Sequence, residues 1–176
     1  MEDLRTAPPP ALDDDDHVRG DGGGTLVLFY ADFTCPRCAL AHERLTQAGV
    51  RVAFRHMALR ANERAVPVAC AAEAAAAQGC FWPFADALYA DQGRLDDPHL
   101  WQRARDLGLD VERFDADRRD PFTAARVQRD TRAALAAGAT TTPTLFVGDS
   151  PLSGVPDGEW LAQLGYDGRV RLPKPR

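Results

Sequence analysis

Residues 26–45 read LVLFYADFTCPRCALAHERL, a segment in which an apolar run is followed by two cysteines and a helical pattern. The apolar run over 25–30 has the length and the flanking glycines of a strand that is buried on both faces. A helical pattern follows over 36–48, and the glycine after it is placed to end that helix. Cys35 and Cys38 therefore lie at the junction of a strand and a helix.

The pattern of the remaining chain places this unit in a larger sheet. Residues 50–57 alternate apolar and polar side chains, which predicts a second strand and completes a βαβ unit. Residues 62–138 have helical spacing throughout and predict an all-helical insert. Strand patterns return at 144–147 and 152–155, before a last helix that ends at Leu164. This order predicts one α/β domain with a mixed sheet and helices packed on it.

Length, composition and charge exclude several classes of protein. The chain has 176 residues, of which 45% are hydrophobic, so it can bury one sizeable core without disulfide staples. Its net charge of -5 and pI near 5.3 provide no basic face, which argues against nucleic acid and membrane as partners. The first residues lack the pattern of a secretory leader, and no window approaches a membrane span. We therefore expect a cytoplasmic protein.

The ends of the chain differ in composition from the middle. Residues 2–24 combine proline, aspartate and glycine runs, which bury too little apolar surface to offset the entropy lost on ordering. We predict a disordered N-terminal tail over 1–15, one domain over 16–165 and a C-terminal tail over 166–176. Residues 17–19 are expected to form a short edge strand. The aspartate run is interpreted as solvated rather than as a cation site.

The residue before each of three helix starts carries chemical information. An aspartate directly precedes a proline at residues 97–98 and again at 120–121, which predicts a carboxylate at the N-cap and proline in the first turn. Cys35 and Pro36 repeat this arrangement. Cysteine thus occupies a position that elsewhere holds an anion, where free N–H groups and the helix dipole favour thiolate over thiol.

These features predict different roles for the two cysteines. Arg37 adds a positive charge one residue from Cys35, and together with the N-cap position it should lower the Cys35 pKa. Cys35 is then the nucleophile that attacks a partner disulfide. Cys38, one helical turn further in, is shielded and would resolve the mixed disulfide.

Two other interpretations of the cysteine pair were weighed. A static disulfide between Cys35 and Cys38 closes a very short loop, so its chain-entropy stabilisation is small. A metal site needs two further ligands; His42 lies one turn after Cys38 but is expected to face solvent or a carboxylate. Cys70 and Cys80 do not complete a zinc spacing, and a mostly helical segment holds them about 12–15 Å apart, too far to bridge. We predict no metal.

A proline precedes the strand at 144–147. Pro143 follows Thr142 at the end of a loop, a position where proline is tolerated at the start of a strand and where cis bonds also occur. From these residues alone the trans form is the expectation, because it predominates in folded proteins.

Considered together, these motifs resemble a known family. The residues that carry the resemblance are Asp16-His17-Val18-Arg19-Gly20, the segment from Tyr30 to Cys38, Phe54-Arg55-His56, Ala71 to Ala75, Gln78 to Trp82, Leu107-Gly108-Leu109-Asp110 and Thr141-Thr142-Pro143-Thr144. Over about residues 16–165 the chain resembles the DsbA-like branch of the thioredoxin superfamily.

The resemblance implies a thioredoxin-like fold, a mixed central sheet flanked by helices, with an all-helical insertion. It implies a thiol-disulfide oxidoreductase that uses no cofactor beyond its own redox-active cysteines. Its substrates would be thiol- or disulfide-containing proteins or small molecules, with a further redox partner. By the same resemblance Pro143 is cis and lies against the C-x-x-C motif, and Thr142 offers backbone hydrogen bonds to an extended substrate peptide.

The chain departs from the family pattern at two positions. Family members often carry a buried acid six residues before the first cysteine, and here that position is Phe29. Without the acid, Cys38 would resolve more slowly or exchange its proton through water or another base. Asp32 is nearer in sequence but follows the strand, so it is not expected to substitute. Cys80 stands where the family tends to have a polar or charged residue.

Three functional interpretations remain open from the sequence. The first is an enzyme that exchanges disulfides, and the second is a non-catalytic binding module whose affinity follows the redox state of Cys35 and Cys38. The third, a relative of glutathione transferases or isomerases, usually does not need two cysteines. The direction of exchange also stays open, because a reducing compartment would favour a reductase and an oxidising one a disulfide donor.

Overall fold

A computed structural model describes residues 6–20, 24–59 and 61–164. The first five residues of the predicted N-terminal tail and the whole predicted C-terminal tail lie outside these ranges. In the described chain, five strands form one sheet in the order β1-β3-β2-β4-β5. The strands are β1 His17–Arg19, β2 Leu26–Ala31, β3 Arg51–His56, β4 Thr144–Val147 and β5 Ser150–Ser153. β2 and β3 pair in parallel, and the other neighbours are antiparallel.

Helices flank this sheet and form the insertion. The helices of the described residues are α1 Pro36–Ala48, α2 Ala65–Ala76, α3 Phe81–Ala90, α4 Asp97–Asp106, α5 Val111–Asp117, α6 Pro121–Ala136 and α7 Gly158–Gln163. Elements α2 to α6 lie between β3 and β4, so the predicted α/β fold with a helical insertion is confirmed. None of the described helices has the length and apolar character needed to cross a membrane.

Several predicted boundaries are shifted by one or two residues in the structure, and two of these shifts have a local cause. The N-cap of α4 is Asp96 rather than Asp97, because the Asp96 carboxylate accepts a hydrogen bond from the backbone N–H of His99. Strand β5 begins two residues earlier than predicted. The reason is a two-residue turn between β4 and β5, which pairs Val147 directly with Ser150.

The segment predicted as an N-terminal tail makes defined contacts from residue 6 onwards. The backbone N–H of Thr6 donates to the carbonyl of Ala136 at the end of α6. Further along, the Arg55 guanidinium donates to two backbone carbonyls of the segment and forms a two-pronged ion pair with Asp16. Composition did not reveal this order, because the contacts are made by groups far away in sequence, among them a buried arginine of β3 and the end of α6.

One aromatic cluster joins the sheet to the insertion behind the dithiol. Phe33, in the loop after β2, stacks on Phe54 of β3 with ring centroids 5.0 Å apart. Phe29 of β2 meets Phe54 edge-on at 5.8 Å, and Phe81 of α3 lies 5.3 Å from it. All four rings are buried. The loop that leads to Cys35 is therefore anchored in the core shared by sheet and insertion.

Candidate active site: the Cys35 and Cys38 dithiol

The two cysteines differ in exposure because of their places on α1. Cys35 is the N-cap residue, with extended backbone angles of φ -92° and ψ 118°, and Pro36 begins the helix. Cys38 is one turn further along and fully buried, whereas Cys35 is half-buried. Both thiols are free. The outer sulfur is thus accessible and the inner sulfur is shielded, as the motif predicts.

Hydrogen bonds at the helix start stabilise the thiolate of Cys35. The Cys38 thiol makes the largest contribution, and with the Thr142 side chain and the N–H groups of Cys38 and Arg37 it lowers the Cys35 pKa to about 5 against burial. Arg37 therefore acts on this pKa through its backbone N–H. Its guanidinium lies against Gly154, where a Cβ would come within 2.6 Å of Nη2. The Arg37 side chain, whose charge was expected to stabilise the Cys35 thiolate, is directed at this glycine.

The inner cysteine has the opposite electrostatic character. Burial raises the pKa of Cys38 far above its usual range, and its hydrogen bond to Cys35 raises it further. The backbone N–H of Asp32 lies 3.4 Å from the Cys38 sulfur, within hydrogen-bond range. Near neutral pH the site therefore holds one thiolate, on Cys35, and one thiol, on Cys38.

The loop before β4 lies against the outer sulfur. The Thr142–Pro143 peptide bond is cis. The carbonyl oxygen of Thr142 is 3.6 Å from the Cys35 sulfur, across 107 residues of sequence. The carbonyl of Pro143 accepts a hydrogen bond of 2.8 Å from the N–H of Gly154, which ties the loop to the end of β5. The structure thus brings Cys35, Thr142 and Pro143 together.

The helical insertion supplies two site residues that the sequence did not indicate. Gln92 follows α3, and its side-chain amide donates to the carbonyls of Phe33 and Cys35 at 2.7 and 3.0 Å. Tyr89 packs its ring 5.0 Å from that of Phe33, and its buried hydroxyl has no hydrogen-bond partner among the described residues. Burial and the charges of Cys38, Asp32 and Cys35 raise the Tyr89 pKa well above 10. No local pattern marks either residue.

A core phenylalanine occupies the position where family members often carry a buried acid. Phe29 is fully buried and packs on Phe54. Asp32 is buried next to Cys38, and burial raises its pKa although Thr34 donates two hydrogen bonds to its carboxylate. His42, considered as a metal ligand beside Cys38, instead contacts the Asp86 carboxylate at 2.8 Å.

Comparisons with known proteins agree with this geometry. A thioredoxin-like sheet with an accessible dithiol at a helix start is the arrangement typical of thiol-disulfide oxidoreductases. Residues 47–164 match the model of the DSBA-like thioredoxin domain family, a range that begins after the dithiol. The chain belongs to this DsbA-like family.

Solved structures show the same fold. The chain is 26% identical to a thioredoxin-like oxidoreductase from Silicibacter pomeroyi, with a TM-score of 0.77 over 87% of this chain and 91% of that one. BdbD from Bacillus subtilis, at 18% identity, superposes with a TM-score of 0.76 over 92% of this chain and 96% of that one. At such an identity the likeness to BdbD concerns the fold alone.

Curated relatives are much longer than this chain. The chain is 41% identical over 164 residues to a protein named Na(+)/H(+) antiporter NhaA from Herminiimonas arsenicoxydans, and 39% identical over 145 residues to one from Salinispora tropica. These matches cover 89% and 78% of this chain but only 26% and 22% of the relatives. The chain therefore corresponds to about a quarter of each relative.

Proposed function

We propose that the chain exchanges a disulfide between Cys35 and Cys38 and the thiols of a protein or small molecule. A substrate thiolate attacks the Cys35 sulfur of the disulfide, forms a mixed disulfide, and releases Cys38 as a thiolate that takes up a proton. A second substrate thiolate then attacks the substrate sulfur and releases Cys35 as a thiolate. Two electrons pass from the substrate to the cysteine pair, with no cofactor, and a redox partner reoxidises the pair.

The observation that carries this proposal is the asymmetry of the two sulfurs. Cys35 is accessible and its pKa is lowered to about 5, so it is both the exposed target and a good leaving group. Cys38 is buried and has a raised pKa, so it holds its proton and is withheld from other thiols. A static structural disulfide would need neither difference.

The loop at Thr142 and Pro143 supports a protein substrate. An extended peptide with its sulfur at Cys35 would pass beside the backbone of Thr142, whose carbonyl is 3.6 Å from the Cys35 sulfur. Backbone hydrogen bonds of this kind bind an extended chain without regard to its side chains. We propose Thr142 and Pro143 as substrate-binding residues, and Pro36 and Arg37 as residues that hold the helix start in its thiolate-stabilising form.

Catalysed turnover separates the enzyme from a redox-responsive binding module. We expect the wild-type protein to accelerate reduction of a protein disulfide by dithiothreitol, and Cys35→Ser to lose that acceleration because the nucleophile is removed. Cys80→Ser is the matched control, because Cys80 is also half-buried and is also the N-cap of a helix, α3. We expect this variant to retain wild-type turnover. If wild type and Cys35→Ser gave the same turnover, or if neither accelerated the reaction, the chain would not be a disulfide-exchange enzyme that uses Cys35.

The thiolate also bears on the direction of exchange. Stabilising the Cys35 thiolate stabilises the reduced protein, which makes the disulfide a better oxidant. We therefore propose a disulfide donor and expect a reduction potential between those of thioredoxin and DsbA, about -270 and about -120 mV. Equilibration with glutathione redox buffers measures it. A potential at or below that of thioredoxin would indicate a reductase instead.

A further inference from the structure

A second cluster of ionisable side chains lies where β1, β3 and α2 meet. His17 of β1 and His56 of β3 each direct Nε2 at the same oxygen of Glu73 on α2, Oε1, at distances of 2.7 and 2.6 Å. The three atoms all lie within 4.8 Å of one another. Disulfide exchange at Cys35 uses none of these residues.

Packing fixes the direction of both imidazoles. The His17 ring stacks on Phe81 with centroids 3.6 Å apart, and the His56 ring meets Phe54 edge-on at 5.2 Å. The His56 side chain is 1% exposed and that of Glu73 is 9% exposed. Two histidines and a carboxylate are therefore held in place by three different elements of the fold, with their donor atoms converging on one point.

The two oxygens of the Glu73 carboxylate face different groups, the imidazoles on one side and an arginine on the other. The second oxygen, Oε2, lies 2.7 Å from Nε of Arg126 on α6. Oε1 alone faces the imidazoles. Oε2 is held by an ion pair with Arg126 that lacks hydrogen-bond geometry, and Oε1 is the oxygen that can meet a cation together with the imidazoles.

The histidines can present lone pairs to this point. Nδ1 of His56 is buried and has no hydrogen-bond partner among the described residues. Without a cation, the Glu73 carboxylate accepts a hydrogen bond from Nε2 and keeps the ring proton there. Because Nδ1 has no competing partner, it can take that proton when a cation binds, which frees the Nε2 lone pair. Two imidazole nitrogens and one carboxylate oxygen make a donor set suited to Zn²⁺ and unsuited to Ca²⁺ or Mg²⁺.

The cluster has an entry path. His17, Glu73 and Arg126 line an open cleft of about 1040 Å³. Residues 14–16, all aspartates, line the cleft together with Arg126, Arg129 and Arg132, so its charges are mixed. The cleft connects the cluster to solvent, and its open side leaves room for water as a fourth ligand.

We propose that His17, His56 and Glu73 form a binding site for a Zn²⁺-class divalent cation, completed by water from the cleft. The cation takes the place of the protons between the two Nε2 atoms and Oε1, and each neutral imidazole then carries its one ring proton on Nδ1. Loading ties β1 to β3 and α2. Arg126 opposes it, since its Nη2 lies 3.3 Å from Nε2 of His17. This guanidinium can turn to Asp15, which already lies 3.5 Å from Nη1.

The test uses the protein with Cys35 and Cys38 oxidised, so that the dithiol cannot bind the metal. Calorimetric titration with Zn²⁺ should show one equivalent bound, and Ca²⁺ should give none. Titration with Co²⁺ should give visible bands of a tetrahedral site without sulfur-to-metal charge transfer, which also excludes Cys70 and Cys80 as ligands. Glu73→Gln should weaken Zn²⁺ binding at least about tenfold, the lower end of losses for residues that support a metal site.

Two further variants separate a metal site from a purely ionic cluster. Arg126→Gln removes the opposing charge and should bind Zn²⁺ as tightly as wild type or more tightly. His17→Gln keeps the fold in case Glu73→Gln does not, because His17 lies at the cleft, and it should abolish the rise in Tm that Zn²⁺ gives the wild type. His99→Gln, at an exposed histidine paired with Asp96, is the matched control and should bind normally. No binding by wild type, or undiminished binding by His17→Gln and Glu73→Gln, would overturn the proposal.

Discussion

Replacing Cys38 with serine should stop the exchange at the mixed disulfide while leaving the attack by Cys35 intact. In the reducing direction, which is the reverse of the proposed exchange, the Cys35 thiolate remains the accessible nucleophile, but the second sulfur that would displace the substrate is absent. Intramolecular attack has an effective molarity of about 10⁵–10⁸ M, far above any external thiol. We expect turnover to fall by at least about a thousandfold on this basis. Reduced Cys38→Ser, mixed with a disulfide substrate, should accumulate a covalent adduct visible by mass spectrometry.

The adduct has a specific control. Cys35→Ser should form none, because the remaining Cys38 is buried and protonated. Cys80→Ser should turn over normally without accumulating adduct. If Cys38→Ser turned over like the wild type, or if Cys35→Ser formed the adduct, the assignment of the outer and inner sulfurs would be wrong.

The sequence predicts this asymmetry well because its causes are local. An apolar strand, a cysteine before proline and a helix place one sulfur at the N-cap and the other one turn inside, whatever the rest of the chain does. The same reasoning is off by one residue at α4, where Asp96 and Asp97 are both competent caps and only the approach to the His99 N–H decides between them. Two adjacent aspartates have the same capping preference, so the sequence alone does not decide which of them is the N-cap.

The parts of the site that the sequence misses depend on distant contacts. Gln92 reaches the Cys35 carbonyl across 57 residues, from a loop in the insertion. Its role follows from the packing of α3 against the loop at Phe33, for which a single sequence carries no periodic signal. Arg37 shows a different limit. It is close to Cys35 in sequence, but its long flexible side chain points away from the thiolate and towards Gly154.

The N-terminal segment shows a third limit of prediction from sequence, because its contacts with Arg55 are not visible in its own composition. Its composition indicates disorder, yet Arg55 of β3 donates to the carbonyls of Pro10 and Ala11 at 2.8 Å and to the Tyr30 hydroxyl at 3.4 Å. The Asp16 side chain, 3% exposed, accepts two hydrogen bonds of 2.6 Å from this guanidinium. Contacts with this buried cation therefore contribute to the order of the segment, together with the Thr6 bond to Ala136 and the Arg126 contact with Asp15.

Asp16→Ala should lower the free energy of unfolding by about 3–5 kcal/mol, because it leaves the buried Arg55 charge uncompensated. Denaturant unfolding measures this, and the loss is a large part of the total stability of a typical domain, about 5–15 kcal/mol. Asp14→Ala, at an exposed neighbour that forms no ion pair with any residue the structure describes, should change it by less than about 0.5 kcal/mol. Adding Arg55→Met to Asp16→Ala removes the unpaired charge and should recover much of the loss. If Asp16→Ala were as mild as Asp14→Ala, the Arg55 contacts would not contribute to the order of the segment.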